Sequence, residues 1–511
     1  MRKMTVLDYL EETTARLPDK TAVIIEDKTY SYNNLLSTAK IVATSIIHEC
    51  KSIRRKPIML FMDKGFECLA SMYGVIFSGN AYVPMDIKTP IERLDNILDT
   101  MNSDIIITTI REKQILDKIG YTGDVLIFEE LITKYNGRIE AGELSIIRKS
   151  IIDTDIMYIL FTSGSTGIPK GVAIMHRSVM DYIDAFINDT PICENDVVGN
   201  QTPFYADMSL KDTYMSVAVG ATICIIPQKY FMTPKKLLTY IDDNDVTMIM
   251  WVPTAYRLVS QFDGLSKVRP GKLHKFVFSG EAMPIPVFKY WTSYYHIAEC
   301  EYIQQYGPTE ITGACTSYHI AEEYEDTDTI PIGKPFKNTG ILLINEAGNI
   351  IQEPGVLGEI CVYGTCLAAG YYNNKVKTDE YFVQNPAISE YTSLMYKTGD
   401  LAKYDENENL VFVSRKDYQI KHGGKRIELG EIEAAAMGVN GIDGCCCIHN
   451  REDDSLLLFY VGSKEEKMIK NELGKKIPKY MIPTEYRLLD QLPMLPNGKM
   501  DRKLLDNMVN Q

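Results

Sequence analysis

Apolar residues come in short unbroken runs along most of the chain, and stretches with a helical period separate these runs. A strand at Ile58–Met62, a helix at Phe66–Phe77 and a strand at Ala81–Pro84 form the clearest such unit. Further runs lie at Ala22–Ile25, Ile105–Thr109, Val125–Phe128, Ala221–Pro227, Met248–Val252 and Lys275–Ser279. Unbroken apolar strands that alternate with helices are typical of parallel sheets covered on both faces. The pattern therefore predicts an α/β fold with parallel sheets of the αβαβα type.

The pattern changes beyond Gly355, where Glu359–Tyr363 alternates like a half-buried strand and turns become frequent. A charged stretch, Arg415-Lys416-Asp417, then precedes a shorter tail. In the tail we predict helices at Gly430–Met437 and Glu465–Leu473 and strands at Cys445–Ile448 and Leu456–Val461. We therefore expect two domains, a large one at 1–416 and a small α+β domain at 417–511.

Composition and charge narrow the class of protein. Hydrophobic residues make up 45% of the 511 residues and charged residues 24%, as in globular proteins, and the formal net charge is −14. This acidity argues against nucleic acid as the main partner. The cysteines lack a metal-binding spacing, which favours reduced thiols. Because the first residues include acidic side chains and no apolar stretch is long enough to span a bilayer, we expect a soluble cytoplasmic protein without a membrane partner.

The first candidate for chemistry is the stretch YILFTSGSTGIPKG at Tyr158–Gly171. An apolar strand runs into a loop of hydroxyls and glycines that ends near Lys170. Such a loop presents backbone N–H groups and one cation to phosphate oxygens. The spacing matches neither the P-loop of NTPases nor the dinucleotide-binding G-x-G-x-x-G. The alternative is an ordinary Ser/Gly surface loop.

Five further motifs occur with this loop, in the order found in amino-acid adenylation domains of nonribosomal peptide synthetases. They are Phe204–Gly220, YGPTE (Tyr306–Glu310), YKTGDL (Tyr396–Leu401), RKDYQIKHGGKRIELGEIE (Arg415–Glu433) and LPNGKMDRK, which begins at Leu495. From about Thr29 to Lys503 the chain therefore resembles the adenylate-forming superfamily, which also contains acyl-CoA synthetases and luciferases. The resemblance implies a distorted β-barrel beside the parallel sheets of the large domain, and a small mobile C-terminal domain.

The resemblance also implies a site for ATP and Mg²⁺. Contacts to the β- and γ-phosphates would come from Thr162, Ser163, Gly164, Thr166 and Lys170. Tyr306 would cover the adenine, and Thr309 would contact the α-phosphate. Glu310 would help to hold Mg²⁺, a cation that prefers oxygen ligands and usually binds together with substrate phosphates. Without the resemblance, YGPTE would be interpreted as a structural turn.

Four charged residues of the later motifs receive roles from the same resemblance. Asp400 would accept hydrogen bonds from the ribose hydroxyls, and Arg415 would support the binding of the same nucleotide. Asp417 would be the hinge between the domains. Lys499 would act with Thr166 and Glu310 in catalysis by bridging the substrate carboxylate and the α-phosphate. A carboxylate that attacks phosphorus needs in-line positioning and charge neutralisation rather than a general base. The alternatives are an exposed turn aspartate for Asp400, a solvated surface charge for Arg415 and Lys499, and an ordinary linker at Asp417.

The substrate pocket is implied by Asp207, which stands where amino-acid-selecting members of the family keep an aspartate for the α-ammonium group. The alternative is a helix N-cap. The other pocket positions would be Met208, Lys211, Met250, Val277, Ser279, Gln305, Gly313 and Ala314. A buried Lys211 would be costly unless paired, which would favour a substrate with a second acceptor or carboxylate. Lys211 could equally extend outwards into solvent.

The resulting hypothesis is a ligase that activates an amino acid with Mg-ATP as an aminoacyl-adenylate and releases pyrophosphate. The enzyme would then load the aminoacyl group on the phosphopantetheine thiol of a separate carrier protein. Three alternatives stay open: a D-alanine–carrier protein ligase, an acyl- or aryl-CoA ligase, and a non-catalytic binding member. Against D-alanine, Lys211 and Gln305 are bulky and polar for a methyl side chain.

Overall fold

The structure is a computed structural model that describes residues 3–51, 53–103, 105–164, 169–494 and 500–510. These residues group into two compact units. The first unit runs to Ile87 and continues with Ser103–Leu160 and Val172–Lys416, whereas the second combines Lys88–Asn102, Phe161–Gly171 and the residues from Asp417 onward. The roles expected for domains 1–416 and 417–511, substrate binding in one and mobility in the other, stay predictions.

One sheet of the first unit contains the strand–helix–strand pattern predicted near the N-terminus. In spatial order its strands are Gly370–Tyr371, Lys170–Met175, Ile156–Thr162, Ala81–Met85, Pro57–Phe61, Ile106–Thr108 and Val125–Ile127. The strands from Ile156–Thr162 to Val125–Ile127 pair in parallel, as the unbroken apolar runs predict. The helix Phe66–Phe77 begins and ends where the sequence predicts.

A second, larger sheet carries most of the predicted pocket residues. Its strands, in spatial order, are Lys334–Pro335, Thr316–Ile320, Glu301–Tyr306, Lys275–Ser279, Met248–Trp251, Val197–Asn200, Thr222–Ile225, Thr21–Ile25 and Lys28–Ser31. The inner strands are parallel, but both edges are antiparallel. The sheet is therefore mixed, because the chain reverses direction at each edge.

Helices cover the faces of these two sheets. The α-helices of the first unit are Val6–Arg16, Tyr32–Glu49, Phe66–Phe77, Ile110–Ile119, Phe128–Tyr135, Ala141–Ser150, His176–Asp189, Ser216–Val219, Pro234–Asp243, Pro253–Gln261, Ile285–Tyr294 and Lys375–Tyr381. Short 3₁₀ turns lie at Gln228–Met232 and Thr309–Ile311, and a π-helical turn lies at Lys211–Met215. Gly74 allows two of the helices to pack closely, since a Cβ there would lie 2.6 Å from Val42.

A curled antiparallel sheet completes the first unit where the sequence predicts a distorted β-barrel. Its strands are Ile350–Ile351, Thr339–Ile344, Gly358–Gly364, Leu394–Tyr404, Phe382–Gln384 and Leu410–Arg415, the last of which pairs with Leu394–Tyr404. The register shifts between Glu359 and Cys361 and between Leu401 and Ala402. Such irregularities bend strands and increase their twist, which explains the curled shape.

The second unit has the α+β composition predicted for the tail. A hairpin joins Gln419–His422 to Lys425–Glu428, and a three-stranded sheet contains Ile442–Asn450, Ser455–Gly462 and Glu485–Leu488. The helices are Ile91–Met101, Leu429–Met437, Glu466–Lys476 and Arg502–Asn510, with a 3₁₀ turn at Lys479–Met481. Ile432, Cys447, Leu458 and Ile469 are fully buried and belong to one apolar core.

None of the helices in the described part of the chain has both the length and the apolar composition needed to cross a bilayer. The cytoplasmic location expected from the sequence stays a prediction.

Candidate active site

The predicted pocket residues of the larger sheet lie on one face, at the carboxyl ends of three neighbouring strands. Met250 pairs with Val277, and Ser279 pairs with Gln305. Side chains two residues apart on a strand share a face, so Val277 and Ser279 point the same way. All four side chains are buried. Ligands of parallel α/β sheets bind outside the carboxyl ends of strands, which is where these residues lie.

Lys211 is buried rather than extended into solvent. Its side chain starts from the π-helical turn Lys211–Met215 and its Nζ donates a 2.5 Å hydrogen bond to Oγ of Ser279. The residue is only 1% exposed. A positive charge in such a place carries a large desolvation cost unless acceptors surround it. The contact therefore brings Lys211 to the same strand ends as Ser279 and Gln305.

A second buried polar group lies next to Lys211 and was not predicted. Asp212 accepts a 2.5 Å hydrogen bond from Asn200, and Lys64 donates to the backbone oxygens of Asn200 and Gln201. Burial raises the pKa of Asp212 to about 7, and the Asn200 amide and the two lysines oppose this rise. Burial likewise lowers the pKa of Lys64 to about 8. The π-helical turn thus stands on a polar layer in which one buried carboxylate interacts with two lysines.

Asp207 and Met208 lie in the turn that precedes this helix. Burial is the main reason why the pKa of Tyr182 is far above its usual value, and the nearby carboxylate of Asp207 is the next cause. Asp207 therefore lies within electrostatic reach of the helix His176–Asp189, which carries Tyr182. Met208 extends towards Gly280: a Cβ added at Gly280 would lie 2.9 Å from the sulfur of Met208.

Gly313 and Ala314 approach the same helix from the loop after the strand Glu301–Tyr306. Gly313 has a φ of +84°, and a Cβ there would lie 2.5 Å from the ring of Tyr182. Only glycine fits this combination of backbone shape and close approach. Gln305 donates a 3.4 Å hydrogen bond to Thr190 at the end of the helix, whereas its buried Oε1 has no partner among the described residues. An acceptor without a donor suits a bound ligand that donates.

Asp400 is the centre of a second cluster in the first unit. Its two oxygens accept 2.5 Å hydrogen bonds from the Tyr306 hydroxyl and from Arg415, which is its cross-strand neighbour. Arg415 also donates to the carbonyl of Thr398, and the Thr398 hydroxyl accepts from the backbone of Asp400. Burial and then the carboxylate of Asp400 raise the pKa of Tyr306 far above its usual value, so the phenol stays a donor. The predicted nucleotide residues Tyr306, Asp400 and Arg415 are therefore in direct contact.

Glu310 is fully buried in the 3₁₀ turn that starts at Thr309. Its Oε1 accepts a 2.8 Å hydrogen bond from the hydroxyl of Tyr371, and its backbone oxygen accepts from the backbone of Ala368. Tyr371 also lies 3.4 Å from the hydroxyl of Tyr396. Tyr371 was not predicted, because nothing in its local sequence distinguishes it from a core tyrosine.

The phosphate loop lies in the segment Phe161–Gly171 of the second unit, and its described residues bind carboxylates. The backbone N–H of Gly164 donates to Glu431 at 3.2 Å, and Nζ of Lys170 lies 3.7 Å from Glu428. Ser163 donates to the carbonyl of Arg426, and the hydroxyl of Thr162 lies 3.5 Å from the carbonyl of Lys170. Two predicted phosphate-binding groups of this loop thus already hold carboxylate oxygens.

Glu431 has a further partner in the same unit. It forms a buried ion pair with Arg93 of the helix Ile91–Met101. Burial raises the pKa of Glu431, and the Arg93 charge and the Gly164 N–H oppose the rise. Both Glu428 and Glu431 belong to the motif RKDYQIKHGGKRIELGEIE. The family resemblance gave roles to Arg415 and Asp417 of this motif, but not to these two glutamates.

Three predicted positions remain, two of the chemical step and one of the hinge. Thr166 and Lys499 lie outside the described residues. The predicted hinge residue Asp417 begins the last segment of the second unit, and its side chain accepts a 3.2 Å hydrogen bond from the backbone of Gln419.

Sequence models of known families match both the larger part of this chain and its C-terminal part. The sequence model for AMP-binding enzyme matches residues 10–372, and that for AMP-binding enzyme C-terminal domain matches residues 431–499. Zwittermicin A synthase ZmaJ of Bacillus cereus is 31% identical over 97% of this chain and 93% of that protein. Tyrocidine synthase 1 of Brevibacillus parabrevis is 30% identical over 98% of this chain, but the chain spans only 45% of that relative.

Two solved structures share the fold. The adenylation domain AlmE of Vibrio cholerae, in complex with glycyl-adenosine-5'-phosphate, has a TM-score of 0.84 at 21% identity and covers 99% of this chain and 98% of its own. NpsA-ThdA, an artificially fused adenylation-PCP di-domain from Klebsiella oxytoca, has a TM-score of 0.81 at 22% identity, over 95% of this chain and 94% of its own.

Proposed function

Because the chain belongs to the AMP-binding enzyme family, we propose that it activates an amino acid and passes it to a carrier protein. It is an adenylate-forming enzyme of the nonribosomal peptide synthetase adenylation type, and the predicted class of AMP-forming ligase is confirmed. The proposal adds the substrate class and the acceptor. The first product is an aminoacyl-adenylate, and the acceptor is the phosphopantetheine thiol of a carrier protein that acts in trans.

The position of Asp207 is the observation that supports an amino acid. Its carboxylate lies within electrostatic reach of the buried Tyr182, and the next residue, Met208, lies beside Gly280, which follows Ser279. A carboxylate in a partly desolvated pocket is stabilised by a cationic ligand group, and an α-ammonium supplies one. Glycyl-adenylate in the AlmE complex is consistent with this substrate class.

The side chain of the substrate would meet Lys211. Nζ of Lys211 is buried and has Ser279 as a hydrogen-bond partner at 2.5 Å. An ammonium group donates up to three hydrogen bonds and attracts carboxylates as well as hydroxyls, and Asp212 also lies within electrostatic reach of this charge. We therefore place an acceptor, preferably a carboxylate, on the substrate side chain. The unpartnered Oε1 of Gln305 provides an additional acceptor for a donor on the same ligand.

The nucleotide would bind along the motifs that carry Tyr306 and Asp400. Among the described residues, Tyr306 and Arg415 each donate to one Asp400 oxygen, and an ionised carboxylate has room for about four donors. The remaining lone pairs suit the two ribose hydroxyls. Arg415 and Tyr306 hold the carboxylate in place for this contact, and Thr309 would contact the α-phosphate.

Glu310 would be the protein ligand of a Mg²⁺ ion bound with ATP. A buried carboxylate with one oxygen anchored by Tyr371 fits a hard cation that binds through few protein oxygens and several phosphate oxygens or waters. When bound, the ion neutralises phosphate charge. Tyr371 would then fix the orientation of the carboxylate.

The phosphate loop would hold the leaving pyrophosphate through Thr162, Ser163, Gly164, Thr166 and Lys170. The contacts of Gly164 and Lys170 with Glu431 and Glu428 support this assignment, because carboxylate and phosphate oxygens are bound by the same donors. ATP would replace these carboxylates. Phosphate is the stronger competitor because it carries more charge and more acceptor oxygens.

In the reaction, a carboxylate oxygen of the amino acid would form a bond to the α-phosphorus. The bond from the α-phosphorus to the bridging oxygen breaks, and pyrophosphate leaves with that electron pair. No proton is transferred in this step. Lys499 would neutralise the charge that gathers between the carboxylate and the α-phosphate, and movement at Asp417 would then admit the pantetheine thiol.

The experiment is ATP–pyrophosphate exchange measured with L-, D- and β-amino acids, D-alanine among them, and with aryl and fatty acids. We expect exchange with an amino acid that carries a side-chain acceptor, and we expect Asp207→Ala to abolish it. Exchange supported only by aryl or fatty acids would contradict the Asp207 assignment. Preference for D-alanine would support the carrier ligase alternative instead.

A second assay distinguishes a carrier protein from coenzyme A as the acceptor of the aminoacyl group. The pure enzyme, its amino acid and ATP are incubated either with a phosphopantetheinylated carrier protein or with free coenzyme A. A thioester on the carrier alone supports the proposal, and a thioester on coenzyme A alone refutes it.

A further inference from the structure

Two hairpins of the second unit bring two histidines and one aspartate together. His422 ends the strand Gln419–His422, and His449 lies near the end of the strand Ile442–Asn450. Asp454 lies in the turn that leads into the next strand, Ser455–Gly462. Among the residues that the structure describes, these three form the one group of His, Cys, Asp or Glu side chains with the geometry to hold a metal ion.

The three ligand atoms converge on a common point. Oδ1 of Asp454 lies 3.2 Å from Nδ1 of His422 and 2.8 Å from Nε2 of His449. All three atoms lie within 4.8 Å of one another. Ligands that bind Zn²⁺ tetrahedrally at about 2.0–2.2 Å are separated from each other by roughly 3.3 Å. The two contacts of Asp454 are hydrogen bonds whose lengths are near this separation, so small rotations of the side chains suffice to admit an ion.

The backbone around the cluster is well fixed. His422 precedes a tight turn of two glycines with φ of +56° and +74°, and Asp454 itself has a left-handed φ of +58°. His449 pairs with Leu456 across its hairpin, and its carbonyl accepts from Asn510 of the last helix. Ligands on paired strands and tight turns lose little freedom when an ion binds.

We propose that His422, His449 and Asp454 form a binding site for a divalent transition metal ion, with Zn²⁺ as the best match. Two imidazoles and one carboxylate are a ligand set that this ion accepts. The side chains are 24%, 18% and 19% exposed, so the site is open to solvent on one side and water can supply the fourth ligand. The ion would connect the hairpin at His422 with the hairpin at His449 and Asp454. This assignment is independent of the proposed ligase reaction.

The test is a zinc titration of the full chain after treatment with a chelator, in competition with a zinc-sensitive dye. Cys193 is the exposed thiol of the chain, so a Cys193→Ser background removes a competing ligand. We expect one equivalent to bind, and we expect His422→Gln, His449→Gln and Asp454→Asn each to weaken binding by about tenfold or more. His319→Gln is the matched control, because His319 also lies 3.3 Å from an aspartate, Asp189, but belongs to no three-ligand group among the described residues; we expect its loss to leave binding unchanged.

A second measurement needs no variant and so does not depend on how the variants fold. Co²⁺ added to the parent chain should give the visible absorption bands of a tetrahedral site, and Zn²⁺ should abolish them. Absence of a stoichiometric site, or equal binding by all three variants and the parent, would overturn the proposal. The three side chains would then be a hydrogen-bonded triad only.

Discussion

Replacement of Lys211 by methionine tests the proposed substrate most directly. Lys211 is 1% exposed and hydrogen-bonded to Ser279, so a substrate carboxylate in contact with it would be shielded from water. A hydrogen bond to a charged group contributes about 1.5–3 kcal/mol. At about 1.4 kcal/mol per factor of ten, Lys211→Met should lower kcat/KM for the acidic substrate roughly 10- to 150-fold. Activity with apolar amino acids should rise.

The assay is ATP–pyrophosphate exchange with an acidic and an apolar amino acid on the same preparation. The ratio of the two kcat/KM values does not depend on the fraction of folded enzyme. Methionine has a similar length, and Asn200 and Lys64 stay beside Asp212 after the change, so we expect the variant to fold, with lower stability than the parent because Asp212 loses one of its two lysines. Ser279→Ala removes the neutral partner but keeps the cation, and should therefore preserve the preference.

Lys275→Met is the matched control. Lys275 is also a buried lysine and begins the same strand that ends at Ser279, but its partner is Asp196 at 2.9 Å. Leaving Asp196 unpaired should destabilise the fold by about 3–5 kcal/mol without changing the substrate ratio. An unchanged ratio in Lys211→Met, or a parent enzyme that prefers an apolar amino acid, would refute the role assigned to Lys211.

Three further predictions concern the rest of the proposed site. Lys499→Ala should abolish adenylate formation while ATP still binds, and exchange activity that survives this change would contradict the catalytic assignment. Arg415→Ala should raise the KM for ATP by roughly 10- to 100-fold, because Asp400 loses a charged partner worth about 1.5–3 kcal/mol; a KM equal to that of the parent would exclude a role in nucleotide binding. Burial lowers the pKa of His176 to about 3, so between about pH 3 and 6.5 the unfolded chain binds a proton that the folded chain does not. Stability should fall with acidification through this range, by roughly 2–3 kcal/mol at pH 4.5 relative to pH 7, and His176→Phe should remove this part of the pH dependence of the urea midpoint.

Much of the fold follows from the sequence because strand and helix periods are local properties. Lys275–Ser279 and Phe66–Phe77 have the predicted ends. The first predicted helix of the tail begins one residue early, at Leu429, whereas the second is Glu466–Lys476 rather than Glu465–Leu473. The curled sheet has no such local signature. Its shape depends on where the register shifts, as at Leu401 and Ala402, and register is decided by partners that are distant in sequence.

The residues of the candidate site are likewise only partly predictable from the sequence. Motifs identified Asp400 and Glu310, but Tyr371 holds Glu310 from 61 residues away and carries no motif of its own. Long-range contacts of this kind depend on how the sheets meet, and a single sequence does not record that. The metal-ligand cluster of His422, His449 and Asp454 was missed for the same reason, because its members belong to two different hairpins.

The sequence alone determined the class of protein, the order of its elements and the residue types that the chemistry requires, since each of these depends on short-range pattern. Only the tertiary structure decided the direction of Lys211. A lysine can be buried with a partner or extend its charge into water, and the choice depends on the phase of its helix. Successive residues of a helix turn by about 100°, and the π-helical turn at Lys211–Met215 changes that phase without a sequence signal. The fold thereby brings Lys211 to Ser279, 68 residues along the chain.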